Sequence, residues 1–238
     1  MEFQRRHRVI FFIVTILLLI FFIVIPNQFT NRLSTNRQVE SQIEVKLPSP
    51  VFSSKTSIEE ALKKRRSLRS YKNLPITLQE VGQLLWAAQG ITADNGFPTA
   101  PSAGALYPLE IYLVAGNIEK LIPGIYHYIP AKHTLQKLKE GDARIQLAKA
   151  AIGQEPVKFG AADIVITAVF SRTTKKYGNR GTRFVLMEAG HVAQNIYLEA
   201  ASLNLGTVSI GAFDDTQIKY ILNIKEEDPL YILPIGKI

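Results

Sequence analysis

The sequence predicts an α+β domain, helices packed over a sheet, behind one N-terminal apolar helix. Three observations carry this. A single unbroken apolar run lies near the start of the chain. Beyond residue 55, segments with helical spacing and capping residues mix with short β-branched runs. One of those runs, Ala162 to Phe170, is continuously apolar and β-branched, the mark of a strand buried on both faces.

Val9 to Ile25 is apolar except for Thr15. That makes about 25 Å of helix, at the short end of what spans a bilayer. Arg5, Arg6, His7 and Arg8 precede the run, and Pro26 and Asn27 end it. The basic flank argues for a cytoplasmic N-terminus (residues 1–8) and an extracytoplasmic domain, although Arg32 and Arg37 on the far side weaken the asymmetry. A cleaved signal peptide is the rival reading. Against it, Pro26 to Thr30 offers no pair of small residues at cleavage spacing. Residues 9–25 are therefore expected to be a transmembrane anchor. Residues 26–55, rich in Ser, Thr, Asn and Gln, are expected to be a polar tether. Residues 56–238 then form one domain, large enough to bury most of its unfolded surface.

Each element has its own signal. Ser57 and Glu60 make a capping box for a helix through Arg66. Thr77 and Glu80 repeat it for a second, with Val81, Leu84, Leu85 and Ala88 on one face and Gly90 as its stop. Leu109 to Ala115 is a strand, and Gly124 to Ile129 with Thr134 to Lys139 a hairpin. Asp142 to Ile152 is a helix, and Thr182 to Asn204 the longest helix. Thr207 to Ile210 is a short strand, Asp214 to Leu222 a capped helix and Leu230 to Ile235 a last strand. No internal repeat is present.

The balance of 47% hydrophobic and 20% charged residues is that of a globular chain. The absence of cysteine excludes disulfides, thiolate catalysis and Cys-based zinc sites. The net charge of +8 has no aromatic–basic interleaving or helix-turn-helix pattern beside it, so nucleic acid is not an expected partner. An anionic cofactor or an acidic membrane surface accounts for the charge more simply.

Two segments stand out as ligand sites. Arg65, Arg66, Ser67 and Arg69 combine planar guanidinium forks with a hydroxyl at the end of a helix. A solvated basic face would look the same. Pro98 to Pro108 is a loop of small residues, among them Pro101, Ser102, Ala103, Gly104 and Ala105. It lets backbone amides approach a flat ligand closely. On the long helix, Glu188 and His191 share a face, but no second such pair completes a metal site. Glu188, His191, Gln194 and Asn195 are expected to be buried or half-buried. The stripe Val185, Ala189, Val192, Ala193, Ile196 and Ala200 suits close packing in a dimer seam.

Five motifs in order resemble the nitroreductase superfamily, in its branch of SagB-type and thiazole/oxazole-forming peptide dehydrogenases. They are Arg65 to Tyr71, Leu84 to Gly90, Pro101 to Glu110, Glu188 to His191 with Gln194 and Asn195, and Ile210 to Asp214. The resemblance implies a mainly antiparallel sheet flanked by helices, a homodimer, and FMN at the subunit interface. It puts Arg65, Arg66 and Ser67 on the phosphate and ribityl chain and Arg69 near the pyrimidine edge. It brings Pro101 to Ala105 from the partner subunit, and Ser209, Ile210, Gly211 and Ala212 near the reactive face. A later cation also binds phosphate in much of the family, and Lys237 is the candidate here. The peptide dehydrogenases use a Lys-Tyr pair, which falls on Lys176 and Tyr177, though an exposed turn would also hold these residues.

The expected function is therefore an FMN-dependent oxidoreductase moving hydride between a reduced donor and a small acceptor. The alternatives are a peptide azoline dehydrogenase and a membrane-tethered flavin-binding module without turnover. No Gly-x-Gly-x-x-Gly loop marks the electron donor.

Overall fold

The structure, a computed structural model, describes residues 43–238. The expected anchor at residues 9–25, its basic flank and the tether up to residue 42 lie outside the described residues. Among the described residues no helix is long and apolar enough to cross a membrane.

Seven strands form one sheet: β1 (Glu44–Lys46), β2 (Leu109–Ala115), β3 (Gly124–Ile129), β4 (Thr134–Glu140), β5 (Ala162–Ala168), β6 (Leu205–Thr207) and β7 (Asp228–Lys237). Their order is β1-β4-β3-β2-β5-β7-β6, and neighbouring strands run antiparallel. The helices are α1 (Ile58–Lys64), α2 (Leu78–Gln89), α3 (Arg144–Ala150), α4 (Glu155–Phe159), α5 (Ser171–Tyr177), α6 (Arg180–Ser202) and α7 (Asp215–Leu222).

β5 is the hinge of the packing, because every residue in it is buried. Ile164 and Ile166 face a core built with Val81, Leu84 and Leu85 of α2 and Val185, Val192 and Ile196 of α6. Val165 faces a second core with Leu147 of α3, Val157 of α4 and Ile218 and Leu222 of α7. The alternation of a strand sends consecutive residues to opposite faces, so a run without polar interruptions needs a helical layer on each side.

The helix signals act through their side chains. Thr77 Oγ1 accepts the Glu80 amide at 3.1 Å, and the Glu80 carboxylate accepts the Thr77 amide at 2.8 Å. Asp214 caps α7 by accepting the Gln217 amide at 3.0 Å. The box at Ser57 is only half built. Ser57 accepts the Glu60 amide, but Glu60 turns to Lys64 at 2.5 Å, the pairing available one turn along an exposed helix.

The tether reading fails from residue 43 onward. Val45 pairs with Leu135, Leu47 is buried in the first core, and the Val51 amide donates to Gln83 at 2.8 Å. Ile43–Ile238 is therefore the compact unit. A three-residue edge strand is too short to show period-two alternation. Helices α4 and α5 are also additions to the sequence reading. The strand expected at Thr207 to Ile210 ends at Thr207, beyond which Ile210 makes a single bridge to Ile232.

Candidate active site

Arg65 ends α1 in an extended conformation and turns the chain onto the sheet edge. There Ser67 bridges Thr207, and the Leu68 amide donates to the Thr207 carbonyl at 2.9 Å. This carries the basic motif to Tyr197 of α6. Ser67 Oγ and Tyr197 Oη lie 2.9 Å apart, the Ser209 amide donates to Tyr197 Oη at 2.8 Å, and the Arg65 guanidinium stands 5.2 Å over the ring. Burial pushes the Tyr197 phenol up. Ser209, Ser67 and the Arg65 charge outweigh it and hold the phenol below its usual range.

Beside this cluster is a cavity of about 220 Å³, lined among others by Lys64, Arg65, Arg66, Tyr197 and Thr207. No carboxylate side chain lines it. Thr207 is 1% exposed, and its hydroxyl has no hydrogen-bond partner. A buried hydroxyl left free beside guanidinium groups suits an oxyanion, since each group donates. Arg66 donates to the carbonyls of Lys63 and Arg65 at 3.0 and 2.7 Å. Arg69 is exposed and lines no part of the cavity, nor does Lys237, whose ammonium pairs with Glu80. Ser209 joins the cluster, Ile210 is buried against β7, and Gly211 and Ala212 are exposed.

A second cluster gathers around the small-residue loop. Ala103–Ala105 form a 3-10 turn in which Gly104 has φ 64°. Ala105 and Tyr107 also take positive φ, at 52° and 45°, a conformation that non-glycine residues hold only under constraint. Ser102 Oγ accepts the Tyr107 amide at 3.0 Å. A Cβ placed on Gly104 would lie 2.6 Å from Tyr177 Oη and 2.9 Å from Lys176 Nζ. Both polar tips therefore sit in the notch that glycine leaves. Tyr177 packs edge-on against Phe184, with ring centroids 5.1 Å apart. The start of α5 is tied down by Arg172, which donates to the Tyr107 carbonyl at 2.9 Å and pairs with Glu110 at 2.6 Å. Pro101 is exposed and Ala103 half-buried.

Glu188 lies under this loop and is 3% exposed. Burial pushes its carboxyl up to about 7, and the Ser102 hydroxyl pulls the other way. Gln194 and Asn195 are half-buried as expected, but His191 is exposed. The small-residue stripe is also differently employed: Val185, Ala189, Val192, Ala193, Ile196 and Ala200 all join the first core of this protomer. The outer face of α6 instead carries Leu186 and Met187, each 52% exposed, and Gly190. Among the described residues no cluster of His, Asp and Glu could hold a metal.

The two clusters share α6 but not a face. Glu188 and Tyr197 stand about two and a half turns apart, roughly 13 Å along the axis and half a turn in azimuth. The residues sequence reasoning missed are Tyr197 and Thr207. A tyrosine next to the apolar stripe and a threonine in a short strand look like packing until their partners are known.

Residues 62–237 match the model of the Nitroreductase family. The chain is 45% identical over 195 residues to MJ1384 of Methanocaldococcus jannaschii, whose name places it among nitroreductases; the match covers 82% of this chain and 96% of that protein. It is 28% identical over 146 residues to the microcin B17-processing protein McbC of Escherichia coli, covering 58% of this chain and 53% of that protein. Among solved structures, one from Anabaena variabilis, also titled a nitroreductase, superposes with a TM-score of 0.74 at 28% identity, covering 85% of this chain and 43% of that one. The E. coli microcin synthetase McbBCD complex with truncated pro-MccB17 bound superposes with a TM-score of 0.65 at 26% identity, covering 84% of this chain and 80% of that one. The family match over most of the domain and the 45% identity to a relative covered almost throughout show that the chain belongs to the nitroreductase family.

Proposed function

We propose that this domain is an FMN-dependent oxidoreductase that moves hydride between a reduced donor and a small acceptor. The observation that carries the reading is the cavity at Arg65, Arg66 and Thr207, where a buried hydroxyl without a partner lies beside two guanidinium groups. A phosphate ester would take its oxygens' hydrogen bonds from those donors. Arg65, Arg66, Ser67 and Thr207 would hold the phosphate and ribityl end, with Arg69 and Ser209 to Ala212 toward the ring. Lys237, engaged by Glu80, is left out of the set. Bound flavin supplies the two-electron chemistry; the chain supplies binding, orientation and proton handling.

The reading includes a homodimer. The Gly104 cluster and the Tyr197 cluster face opposite sides of α6, so one protomer's Pro101 to Ala105 loop serves its partner's basic cavity. Leu186 and Met187 give the seam apolar area. It also includes attachment to a membrane by residues 9–25, with the domain outside the cytoplasm. Protease treatment of intact cells tests that placement: a protected domain refutes it.

Flavin is tested by the absorption spectrum of purified protein. The expected result is a yellow protein whose colour is lost in Arg65→Ala/Arg66→Ala. A protein colourless even with added FMN refutes the reading.

A second reading, peptide azoline oxidation, is favoured by the convergence of Lys176 and Tyr177 on Gly104 and by the likeness to McbC. It predicts turnover of azoline peptides, which a small-acceptor reductase does not give.

A further inference from the structure

We infer that the ion pair between Glu110 and Arg172 positions Lys176 and Tyr177: it pins α5 to the loop whose Gly104 notch receives both side chains. The inference rests on the reading of Lys176 and Tyr177 as the proton-handling groups of the site. The contacts behind it are independent of flavin.

α5 cannot hold its own place. It has seven residues, and Phe170 at its N-cap makes no side-chain bond to it. A helix that short is marginal without tertiary contacts. Arg172 sits in its first turn, with no acid beside it in the helix, and a cation there opposes the helix dipole. The compensating charge comes from the sheet, where Glu110 of β2 meets Arg172 at 2.6 Å. Glu110 is a fixed anchor. It pairs with Thr167 of β5, and its second carboxylate oxygen lies 2.8 Å from His127 Nε2. His127 is stacked in turn on Tyr112, with ring centroids 4.8 Å apart. Burial pushes the Glu110 carboxyl up, but His127 and Arg172 outweigh it and hold it below its usual range.

The same guanidinium reaches the loop. Nη2 of Arg172 meets Glu110, and Nη1 donates to the Tyr107 carbonyl at 2.9 Å. A planar fork serves two acceptors through separate nitrogens, which a single ammonium does not. Beside it, the Val169 amide donates to the Pro108 carbonyl at 2.8 Å. At the other end of α5, Tyr177 Oη and Lys176 Nζ lie 2.6 and 2.9 Å from where a Gly104 Cβ would stand. α5 therefore spans one loop, Gly104 to Pro108. Arg172 fixes the end that carries no reacting group, and the seating of Lys176 and Tyr177 follows from it.

The test combines amide hydrogen exchange with turnover in the full chain, using Arg172→Ala, Arg172→Lys and Glu110→Gln. The Gly178 amide donates to the Thr174 carbonyl at 2.8 Å and closes α5, so its protection reports that helix, while β5 amides report global opening. Arg172→Ala is expected to lower Gly178 protection about tenfold, the scale of one bond to a charged group, with β5 at the wild-type level. Its kcat is expected to fall by up to about a hundredfold, the scale of a misplaced reacting group, with KM unchanged. Glu110→Gln moves both readings the same way by less, and Arg172→Lys recovers part of the kcat lost in Arg172→Ala. In a Lys176→Ala/Tyr177→Phe background, Arg172→Ala is expected to cause no further loss of kcat, because it acts only through those two groups. A full further loss in that background overturns the proposal, as does Gly178 protection that falls only together with β5. If Arg172→Ala does not fold, Glu110→Gln decides: wild-type Gly178 protection in that variant overturns the proposal. A protein that binds no flavin defeats the proposed function, while the exchange measurement still decides whether the ion pair holds α5.

Discussion

The two ends of the functional stretch of α6 are built on different principles. At Tyr197, polar groups satisfy one another: a phenol receives an amide, meets a serine and lies under a guanidinium. One hydroxyl, that of Thr207, is left over. At Glu188, a carboxyl is buried under a turn held in an unfavourable conformation. The first arrangement leaves one donor free for the phosphate of the proposed ligand. The second stores strain and shifts a proton equilibrium, features that cluster where chemistry is done. On the proposed function, one end holds the ligand and the other carries out the reaction.

The sharpest way to break this contrast is at the reacting end. Lys176→Ala and Tyr177→Phe are expected to lower kcat by about 10²–10⁴-fold, the usual contribution of positioned proton donors and acceptors, while flavin binding stays near wild type. Stopped-flow turnover and a flavin titration measure the two effects separately. If flavin affinity falls as much as kcat, the ends are not functionally distinct. Gly104→Val is expected to match the loss, because its side chain would occupy the positions of Tyr177 Oη and Lys176 Nζ.

The holding end should answer in the opposite way and less strongly. Arg65→Ala is expected to weaken FMN binding by roughly tenfold to a hundredfold, about 1.5–3 kcal/mol for a hydrogen bond to a charged group. Excess FMN should restore kcat, since the chemistry is elsewhere. Equilibrium dialysis with a kcat measured at saturation checks this. A kcat that excess FMN does not restore would place Arg65 among the reacting groups.

The contrast also explains what the sequence disclosed. At the holding end, Arg65 to Ser67 stood out as guanidinium forks beside a hydroxyl, although a solvated basic face would look the same, and Ser209 came only by resemblance. Tyr197, which joins them, was not legible, because its role exists only once α6 crosses the sheet edge. At the reacting end, Lys176 and Tyr177 were legible only by resemblance. Ser171 to Tyr177 has no apolar period, so nothing in it announces a helix. The double-sided burial of β5 was plain from Ala162 to Phe170. The strand Glu44–Lys46 was hidden by its length and by its polar neighbours. The small-residue stripe of α6 was read correctly as a packing face but assigned to the wrong partner. A close-packing helix face has the same composition whether it meets its own sheet or a second subunit.

The smallest effect belongs to a buried acid that lies in neither cluster. Asp163 of β5 is 0% exposed and neither carboxyl oxygen has a hydrogen-bond partner. Burial pushes its carboxyl far up, although the Arg144 charge pulls it down. An acid that the fold keeps protonated releases its proton on unfolding. Above the ordinary aspartate range the native state therefore binds more protons than the unfolded state, and stability falls as pH rises toward the native value. Below the unfolded value both states are protonated and the term vanishes. Asp163→Asn removes the ionisation without changing the size of the side chain. Its stability relative to wild type is expected to rise with pH by about 1 kcal/mol per pH unit, near the limit for one proton, and to converge at acid pH. Denaturant titrations of both chains from pH 4 to pH 8 measure the gap.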